Sequence, residues 1–175
     1  AGVELAAWAA RITAGPRAWF QLPELAMGLL PGAGGCVSLT RRIGRQKAAA
    51  LILARWDRLD VLINSAGLHC TRRQVTADGN ELVFQVNHLA PSLLTALLLG
   101  PLSRAPQARV IQVNSEGHRF GGLNLQDLDW KKRPYLGLRA YGASKIAQIA
   151  AVKELAGRLN STGITVNAMH PGGVR

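Results

Sequence analysis

The chain has 175 residues, 48% of them hydrophobic, and a formal net charge of +11 at pH 7. This length suits one domain or one and a half, and the hydrophobic share excludes a disordered chain. No apolar run approaches the roughly 18 residues that a membrane-spanning helix needs. Glu4 and Arg11 interrupt the N-terminal apolar stretch, so we expect neither a membrane span nor a signal peptide.

The cysteines and the basic residues narrow the function classes further. Cys36 and Cys70 form no cluster with metal-ligand spacing, so we expect no metal site and reduced thiols in a cytoplasmic protein. The net charge raises the question of nucleic-acid binding. The basic residues are scattered, however, apart from short groups at 41–45 and 131–133. No aromatic-studded strand or zinc spacing accompanies them, so we expect an Arg-rich surface and no nucleic-acid partner.

Residues 1–54 are predicted to be mostly helical. The Ala-rich stretch 3–13 predicts a helix, Pro23 breaks a short extended piece, and a Gly-rich turn at 32–35 precedes another helix. Residues 46–55 place Ala and Leu at helical spacing, which predicts the last helix of this segment.

The pattern changes at Asp57. Three short apolar runs, at 59–64, 108–113 and 164–169, each end in turn residues and predict buried parallel strands. The segments that separate these runs are long enough to carry crossover helices. Strand, helix and strand in this order imply right-handed connections and an α/β fold with a parallel sheet.

Two helices are predicted between these strands, over 78–99 and 140–159. Pro91 must kink the first helix or mark an internal start, because proline has no backbone N–H to donate. The segment 116–138 is rich in glycine and charge and is predicted to be a loop.

Tyr141 and Lys145 stand four residues apart in the second helix, so their side chains share one face. A free Tyr has a pKa of about 10 and a free Lys of about 10.4. A cation fixed beside the phenol favours phenolate and lowers the Tyr pKa towards neutrality. A general acid or base works best near the working pH, so this pair predicts proton transfer to or from an alcohol or a carbonyl.

Further motifs surround this pair in a definite order: Asn64-Ser65-Ala66-Gly67, Asn87, Ser115, the pair Tyr141 and Lys145, and Pro171-Gly172. Taken singly, each has a structural explanation as a turn, a cap or a core contact. Taken together, residues 57–175 resemble the short-chain dehydrogenases/reductases, in particular the branch of the retinol dehydrogenases and WW-domain oxidoreductases. The resemblance implies a partial Rossmann-like, doubly wound parallel sheet.

The resemblance also implies a role for each motif. Tyr141 transfers the proton and Ser115 holds the reacting oxygen. Lys145 assists Tyr141 and binds the nicotinamide ribose, while Asn87 carries a relay water. The implied cofactor-binding residues are Asn64, Ala66, Gly67, Tyr141, Lys145, Pro171 and Gly172. The implied partners are NAD or NADP, a lipophilic alcohol or carbonyl substrate, and a second copy of the chain through the helices that carry Asn87 and Tyr141.

The N-terminal half that this resemblance requires is not evident. The Gly cluster at 31–37 has the wrong spacing for a dinucleotide-binding turn and follows no clear strand. No residue that selects between NAD and NADP follows about 20 residues later on a second strand. The choice between the two cofactors therefore stays open.

Residues 1–54 resemble instead an interior piece of the crotonase superfamily of enoyl-CoA hydratases and isomerases. The matching stretches are 2–6, 20–24, 28–35 and 41–45. Glu4 and Glu24 fall on the two catalytic glutamate positions of that family, where such a pair holds one water and handles its protons. Each glutamate also has a structural explanation, as a first-turn acid of a helix or as a loop carboxylate.

The two resemblances predict a join near residues 54–57, between a crotonase-like fragment (1–54) and a dehydrogenase/reductase-like domain (57–175). A fused or deleted reading frame, an assembled fragment and omitted segments would each produce such a join. The leading functional hypothesis is an NAD(P)-dependent oxidoreductase whose cofactor binding is impaired in this form. The alternatives are an enoyl-CoA hydratase/isomerase remnant that uses Glu4 and Glu24, and a non-catalytic oligomerisation or interaction fragment.

Overall fold

Three parallel strands form the sheet of the computed structural model, which describes residues 57–172 together with Ala50 and residues 53–54. The strands are β1 (Val61–Asn64), β2 (Arg109–Val113) and β3 (Thr165–Met169), in the spatial order β1-β2-β3. Leu62 lies opposite Val110, and Val110 lies opposite Val166. The predicted α/β fold with a parallel sheet is confirmed; each strand begins one or two residues later than its apolar run.

The first crossover is a helical stretch made of three pieces. It consists of α1 (Leu82–Phe84), a π-helical turn (Gln85–Leu89) and α2 (Ala90–Leu97). The Glu81 carboxylate caps α1 by accepting hydrogen bonds from the N–H groups of Val83 and Phe84, at 2.9 and 2.7 Å. A carboxylate is a strong cap because it also opposes the positive end of the helix dipole.

Pro91 lies in the first turn of α2, so of the two predicted outcomes, a kink or an internal start, the structure has the internal start. A proline cannot donate to the carbonyl four residues earlier, and its ring clashes with that carbonyl. The carbonyl four residues before Pro91 belongs to Asn87. The wider π-helical turn, which contains Asn87, accommodates this missing hydrogen bond.

Two further helices and a 3₁₀ turn complete the described region. α3 (Leu99–Ser103) leads into β2, and a 3₁₀ turn (Glu116–Phe120) follows β2. α4 (Gly137–Arg158) then crosses the sheet to reach β3. The predicted loop over 116–138 is thus partly wrong, since it contains the 3₁₀ turn and the first residues of α4. The Ser115 hydroxyl starts the 3₁₀ turn by accepting from the Gly117 N–H at 3.1 Å.

The hydrophobic core lies between the sheet and the helices. Leu62, Leu98, Leu102 and Val110 are fully buried within it, and Val152 of α4 packs against the same cluster. Of the two buried side chains of the middle strand, Val110 is aliphatic, as expected of a covered parallel sheet, and Gln112 is polar. Among the described residues, no helix combines the length and the apolar character that crossing a membrane requires.

The predicted, mostly helical segment 1–54 lies outside the described residues apart from Ala50 and residues 53–54. Residues 173–175 are outside them as well. The division of the chain at residues 54–57 therefore stays a prediction.

Truncating a core leucine will test this packing. We expect Leu102→Ala to lower the free energy of unfolding by about 2–5 kcal/mol, because it leaves a cavity in a fully buried cluster. Leu125→Ala is the matched control, since the Leu125 side chain is 78% exposed and its loss should change stability by less than about 0.5 kcal/mol. Urea denaturation followed by circular dichroism measures both. Equal effects of the two substitutions would contradict the assigned core.

Candidate active site

The predicted site residues gather at one edge of the sheet. Because β1, β2 and β3 are parallel, their carboxyl ends lie side by side. The Asn114 N–H extends the pairing past β2 by donating to the Met169 carbonyl at 2.8 Å. In open parallel sheets, ligands bind in the crevice outside the carboxyl ends of the strands. The turns after the three strands, which carry Gly67, Ser115 and Gly172, all open on this edge.

Tyr141 and Lys145 lie on α4 and share one face, as predicted. The Lys145 ammonium nitrogen is 5.7 Å from the centre of the Tyr141 ring. The same nitrogen donates a hydrogen bond to the Val113 carbonyl, the last carbonyl of β2, at 2.9 Å. This bond holds the middle of α4 against the end of the central strand.

Burial changes the acid–base behaviour of Lys145. Its side chain is only 3% exposed, and desolvation lowers the pKa of the ammonium from 10.5 to about 8. An ammonium has three donors, and only the bond to Val113 engages it among the described residues. The other two N–H groups are available to a ligand.

Ser115 and Tyr141 both lie next to the backbone of Gly117. A Cβ atom added at Gly117 would lie 2.5 Å from Cε1 of Tyr141 and 3.3 Å from Oγ of Ser115. The two side chains therefore flank the same glycine. Because the Ser115 hydroxyl accepts from the Gly117 N–H, its own hydrogen is left to donate to a third group. His69 lies at the edge of the Tyr141 ring, with ring centres 5.9 Å apart.

Glycines allow the 3₁₀ turn to lie directly on α4. A Cβ atom at Gly142 would lie 2.5 Å from the Gly117 carbonyl, and one at Gly121 would collide with the Gly142 backbone. Sequence reasoning missed this contact. The signal was the run of small residues after Tyr141, because such a run permits close approach of two backbones.

Asn87 is fully buried beside the same edge. Its Oδ1 accepts from the Leu68 N–H at 2.8 Å, and its Nδ2 donates to the Leu68 carbonyl and to Ser144 Oγ, both at 3.0 Å. A Cβ atom at Gly67 would lie 3.6 Å from Asn87 Oδ1 and 3.7 Å from Lys145 Nζ. Asn87 thus ties the turn after β1 to α4; the relay water assigned to it stays a prediction.

Apart from Tyr141 and Lys145 on α4, the residues predicted to bind a cofactor fall into two groups. Gly67, Pro171 and Gly172 are exposed at the edge, Ala66 is half-buried there, and Gly172 has φ +93°, which favours glycine. Asn64 is different, because its side chain is buried and donates to Thr95 Oγ1 at 3.1 Å. That bond joins β1 to α2, and a cofactor contact for Asn64 stays a prediction. Glu4 and Glu24 lie outside the described residues.

Comparison with known proteins gives consistent matches. Residues 38–175 match the family model described as enoyl-(acyl carrier protein) reductase. Human retinol dehydrogenase 13 is 43% identical over 127 residues, which cover 73% of this chain and 38% of that protein. Mouse retinol dehydrogenase 14 is 45% identical over 125 residues, covering 71% and 37%. The chain therefore spans less than two-fifths of the length of these relatives.

Solved structures match the same region. An uncharacterised protein from Mycobacterium paratuberculosis is 36% identical with a TM-score of 0.64, over 72% of this chain and 46% of that one. An NADPH-bound carbonyl reductase from chicken fatty liver is 28% identical with a TM-score of 0.55, over 74% and 53%. A Brucella ovis oxidoreductase of the short-chain dehydrogenase/reductase family, with partially ordered NAD, is 28% identical with a TM-score of 0.53, over 75% and 57%.

These similarities give no support to the crotonase resemblance of residues 1–54 or to a join of two families. The matched family region begins at residue 38, inside the segment that the resemblance assigned to a crotonase. A run of short matching stretches, without a described structure behind it, was too little to establish a second family.

The lowered pKa of Lys145 predicts a pH-dependent stability. Burial lowers the pKa of the Lys145 ammonium from its ordinary value of 10.5 to about 8 in the folded chain. Between these values the unfolded chain binds more protons, so the free energy of unfolding rises with pH. We expect Lys145→Met to flatten this rise, whereas Lys153→Met, an exposed lysine on the same helix, should retain it.

Urea denaturation at about pH 7.5, 8.5, 9.5 and 10.5 measures how the free energy of unfolding changes with pH in the unmodified chain and the two variants. Identical slopes in the unmodified chain and Lys145→Met would show that the Lys145 ammonium is not desolvated.

Proposed function

The chain belongs to the short-chain dehydrogenase/reductase family, and from this premise we propose that it is an NAD(P)-dependent oxidoreductase that interconverts an alcohol and a carbonyl. The observation that carries the proposal is the convergence of three side chains. Ser115 Oγ and the Tyr141 ring flank Gly117, and the Lys145 ammonium lies 5.7 Å from the centre of that ring. A hydroxyl donor, a phenol and a cation then surround one point at the carboxyl edge of the sheet.

The residues present fit the nicotinamide end of a dinucleotide. Lys145 has two N–H groups without an acceptor among the described residues, and the exposed Gly67 beside it leaves room for a sugar. Lys145 would bind the nicotinamide ribose, with Pro171 and Gly172 at the other side of the edge. Similar proteins have been solved with NAD and with NADPH, so either cofactor is proposed. When bound, the nicotinamide supplies or accepts the hydride.

Tyr141 is the proposed general acid and base. Its hydroxyl would donate a proton to the carbonyl oxygen during reduction and remove one from the alcohol during oxidation. The Lys145 ammonium favours the charge that develops on the phenol oxygen. The free hydrogen of the Ser115 hydroxyl would bind the same substrate oxygen and hold it against Tyr141.

Asn87 is proposed to hold a water molecule that links Lys145 to solvent and so allows proton exchange. Its support is proximity: Asn87 Oδ1 and Lys145 Nζ both lie within van der Waals reach of a Cβ atom built at Gly67.

A lipophilic substrate is the class that the surroundings favour. Phe120, at the end of the 3₁₀ turn after Ser115, is 59% exposed, and Leu138, one turn before Tyr141, is 54% exposed. Exposed apolar side chains this near Ser115 and Tyr141 along the chain favour an apolar ligand. Retinol, named in the relatives, is a lipophilic alcohol of the required kind.

A homodimer and a cytoplasmic location are part of the same proposal. Leu93 and Leu97 are four residues apart on α2 and both exposed, which gives this helix an apolar stripe towards a second copy. The two alternatives receive no such support. Hydration of an enoyl-CoA by Glu4 and Glu24 has no described observation in its favour, and a non-catalytic fragment is an outcome of the experiment below.

Cofactor binding is the first measurement. At about 100 times the dissociation constant, a bound ligand adds about 2.7 kcal/mol of stability, which should raise the melting midpoint by about 5–10 °C. We expect this rise with NADPH or NADH and its loss in Lys145→Met. No rise with either nucleotide would leave a non-catalytic fragment as the better account of the chain.

Turnover tests the chemistry. We expect Tyr141→Phe and Ser115→Ala to reduce the rate of retinaldehyde reduction about 100-fold or more, because each removes a group that acts on the substrate oxygen. Both variants should keep the nucleotide-dependent rise in melting midpoint. Tyr135→Phe is the matched control, since Tyr135 is the only other tyrosine and its hydroxyl donates to Glu81. Equal losses in Tyr135→Phe and Tyr141→Phe would contradict the assignment of Tyr141.

A further inference from the structure

Four buried carboxamide side chains lie directly behind the candidate active site. They are between 0 and 7% exposed, and they come from β2 and the residue after it, the π-helical turn and α4: Gln112, Asn114, Asn87 and Gln148. We call these residues the carboxamide cluster. Three of them, Gln112, Asn114 and Gln148, take no direct part in the proposed reaction.

Asn114 joins the residues on either side of the reaction centre. Its Oδ1 accepts from the Ser115 N–H at 2.8 Å, and its Nδ2 donates to the Lys145 carbonyl at 3.0 Å. The same Nδ2 donates to Gln148 Oε1 at 2.8 Å. One side chain therefore links the backbone of Ser115 to the backbone of Lys145.

Gln148 closes the cluster on the opposite side. Its Nε2 donates to the Asn87 carbonyl and to Gln112 Oε1, both at 3.2 Å. The Asn87 carbonyl needs such a donor, because Pro91 has no N–H to offer it. Gln148 thus supplies the hydrogen bond that the proline removes, and it connects the π-helical turn to α4.

The hydrogen bonds determine which way both amides point. Each N–H of Asn114 Nδ2 and of Gln148 Nε2 has its own acceptor. Rotating either amide by half a turn would place its oxygen against another oxygen. Matched apolar residues in place of such a pair are often equally stable. What the polar pair adds is a single defined geometry.

We propose that Asn114 and Gln148 are positioning residues that set Ser115, Lys145 and Asn87 relative to one another. The proposal rests on the proposed oxidoreductase function. Neither residue touches the substrate; they act through the backbone of Ser115, Lys145 and Asn87. Without Asn114 and Gln148, the Ser115 hydroxyl and the Lys145 ammonium are still present, but their relative position is less well defined.

Steady-state kinetics on the full chain tests the pair. We expect Gln148→Met and Asn114→Leu each to lower kcat for retinaldehyde reduction about 10- to 100-fold, because small misplacements of reacting groups have effects of this size. The KM for NADPH should stay within about twofold, since the groups that bind it remain. The double variant should lose little more than the worse single variant, because residues that act as one unit are not additive.

Val152→Ala is the control for stability. Val152 lies one turn after Gln148 on α4 and belongs to the core, so its truncation weakens packing without touching the cluster. Its kcat should equal that of the unmodified chain below the melting transition. A kcat within about twofold of the unmodified chain in Gln148→Met and Asn114→Leu, or additive losses in the double variant, would overturn the proposal.

Hydrogen exchange separates this proposal from the proposed function. The Ser115 N–H is held by Asn114, so we expect it to exchange about tenfold faster or more in both variants than in Val152→Ala, relative to the Val110 N–H in β2. If the unmodified chain turns over no substrate, the proposed function fails. The exchange rate of the Ser115 N–H then tests the positioning role by itself. Unchanged exchange at Ser115 would then refute the positioning role.

Discussion

The burial of the Lys145 ammonium is the constraint on which the site depends. A buried cation is costly unless it finds a partner, and the partner here is the Val113 carbonyl at the end of β2. That bond fixes the height of α4 over the sheet. Tyr141 lies on α4, and Ser115 follows the end of β2. The same interaction that satisfies the cation therefore brings the phenol and the hydroxyl to one place.

Close backbone contact makes this arrangement possible. Gly142 on α4 and Gly117 and Gly121 on the 3₁₀ turn leave no space for Cβ atoms between them. The backbone of the 3₁₀ turn then lies on α4, and Ser115 approaches Tyr141. Larger side chains at these positions would push the 3₁₀ turn away from α4.

A proline in the crossover has effects far along the chain. Pro91 withholds a donor from the Asn87 carbonyl, and Gln148, 61 residues from Asn87, supplies it. The same Asn87 side chain binds the backbone of Leu68 in the turn after β1. A local defect in one helix is thus compensated by contacts that tie together the first turn, the crossover and α4.

Much of the architecture follows from local pattern. Short apolar runs with turn residues predicted β1, β2 and β3 to within two residues, because burial in a parallel sheet demands such runs. Helical spacing alone places Tyr141 and Lys145 on one face. The motif order from Asn64 to Gly172 indicated the family. The crotonase resemblance of residues 1–54 had no comparable support, and it found none.

The sequence by itself determined the strands, the main helix and the Tyr141–Lys145 pair, since each depends on neighbours a few residues away. Only the tertiary structure decided which polar side chains face each other. In the folded chain, Asn64 is hydrogen-bonded to Thr95, 31 residues away, and Asn114 is hydrogen-bonded to Gln148, 34 residues away. The tertiary structure also brought Gly117 against Tyr141. Such pairings are decided by how helices pack on the sheet, and no local period in the chain encodes them.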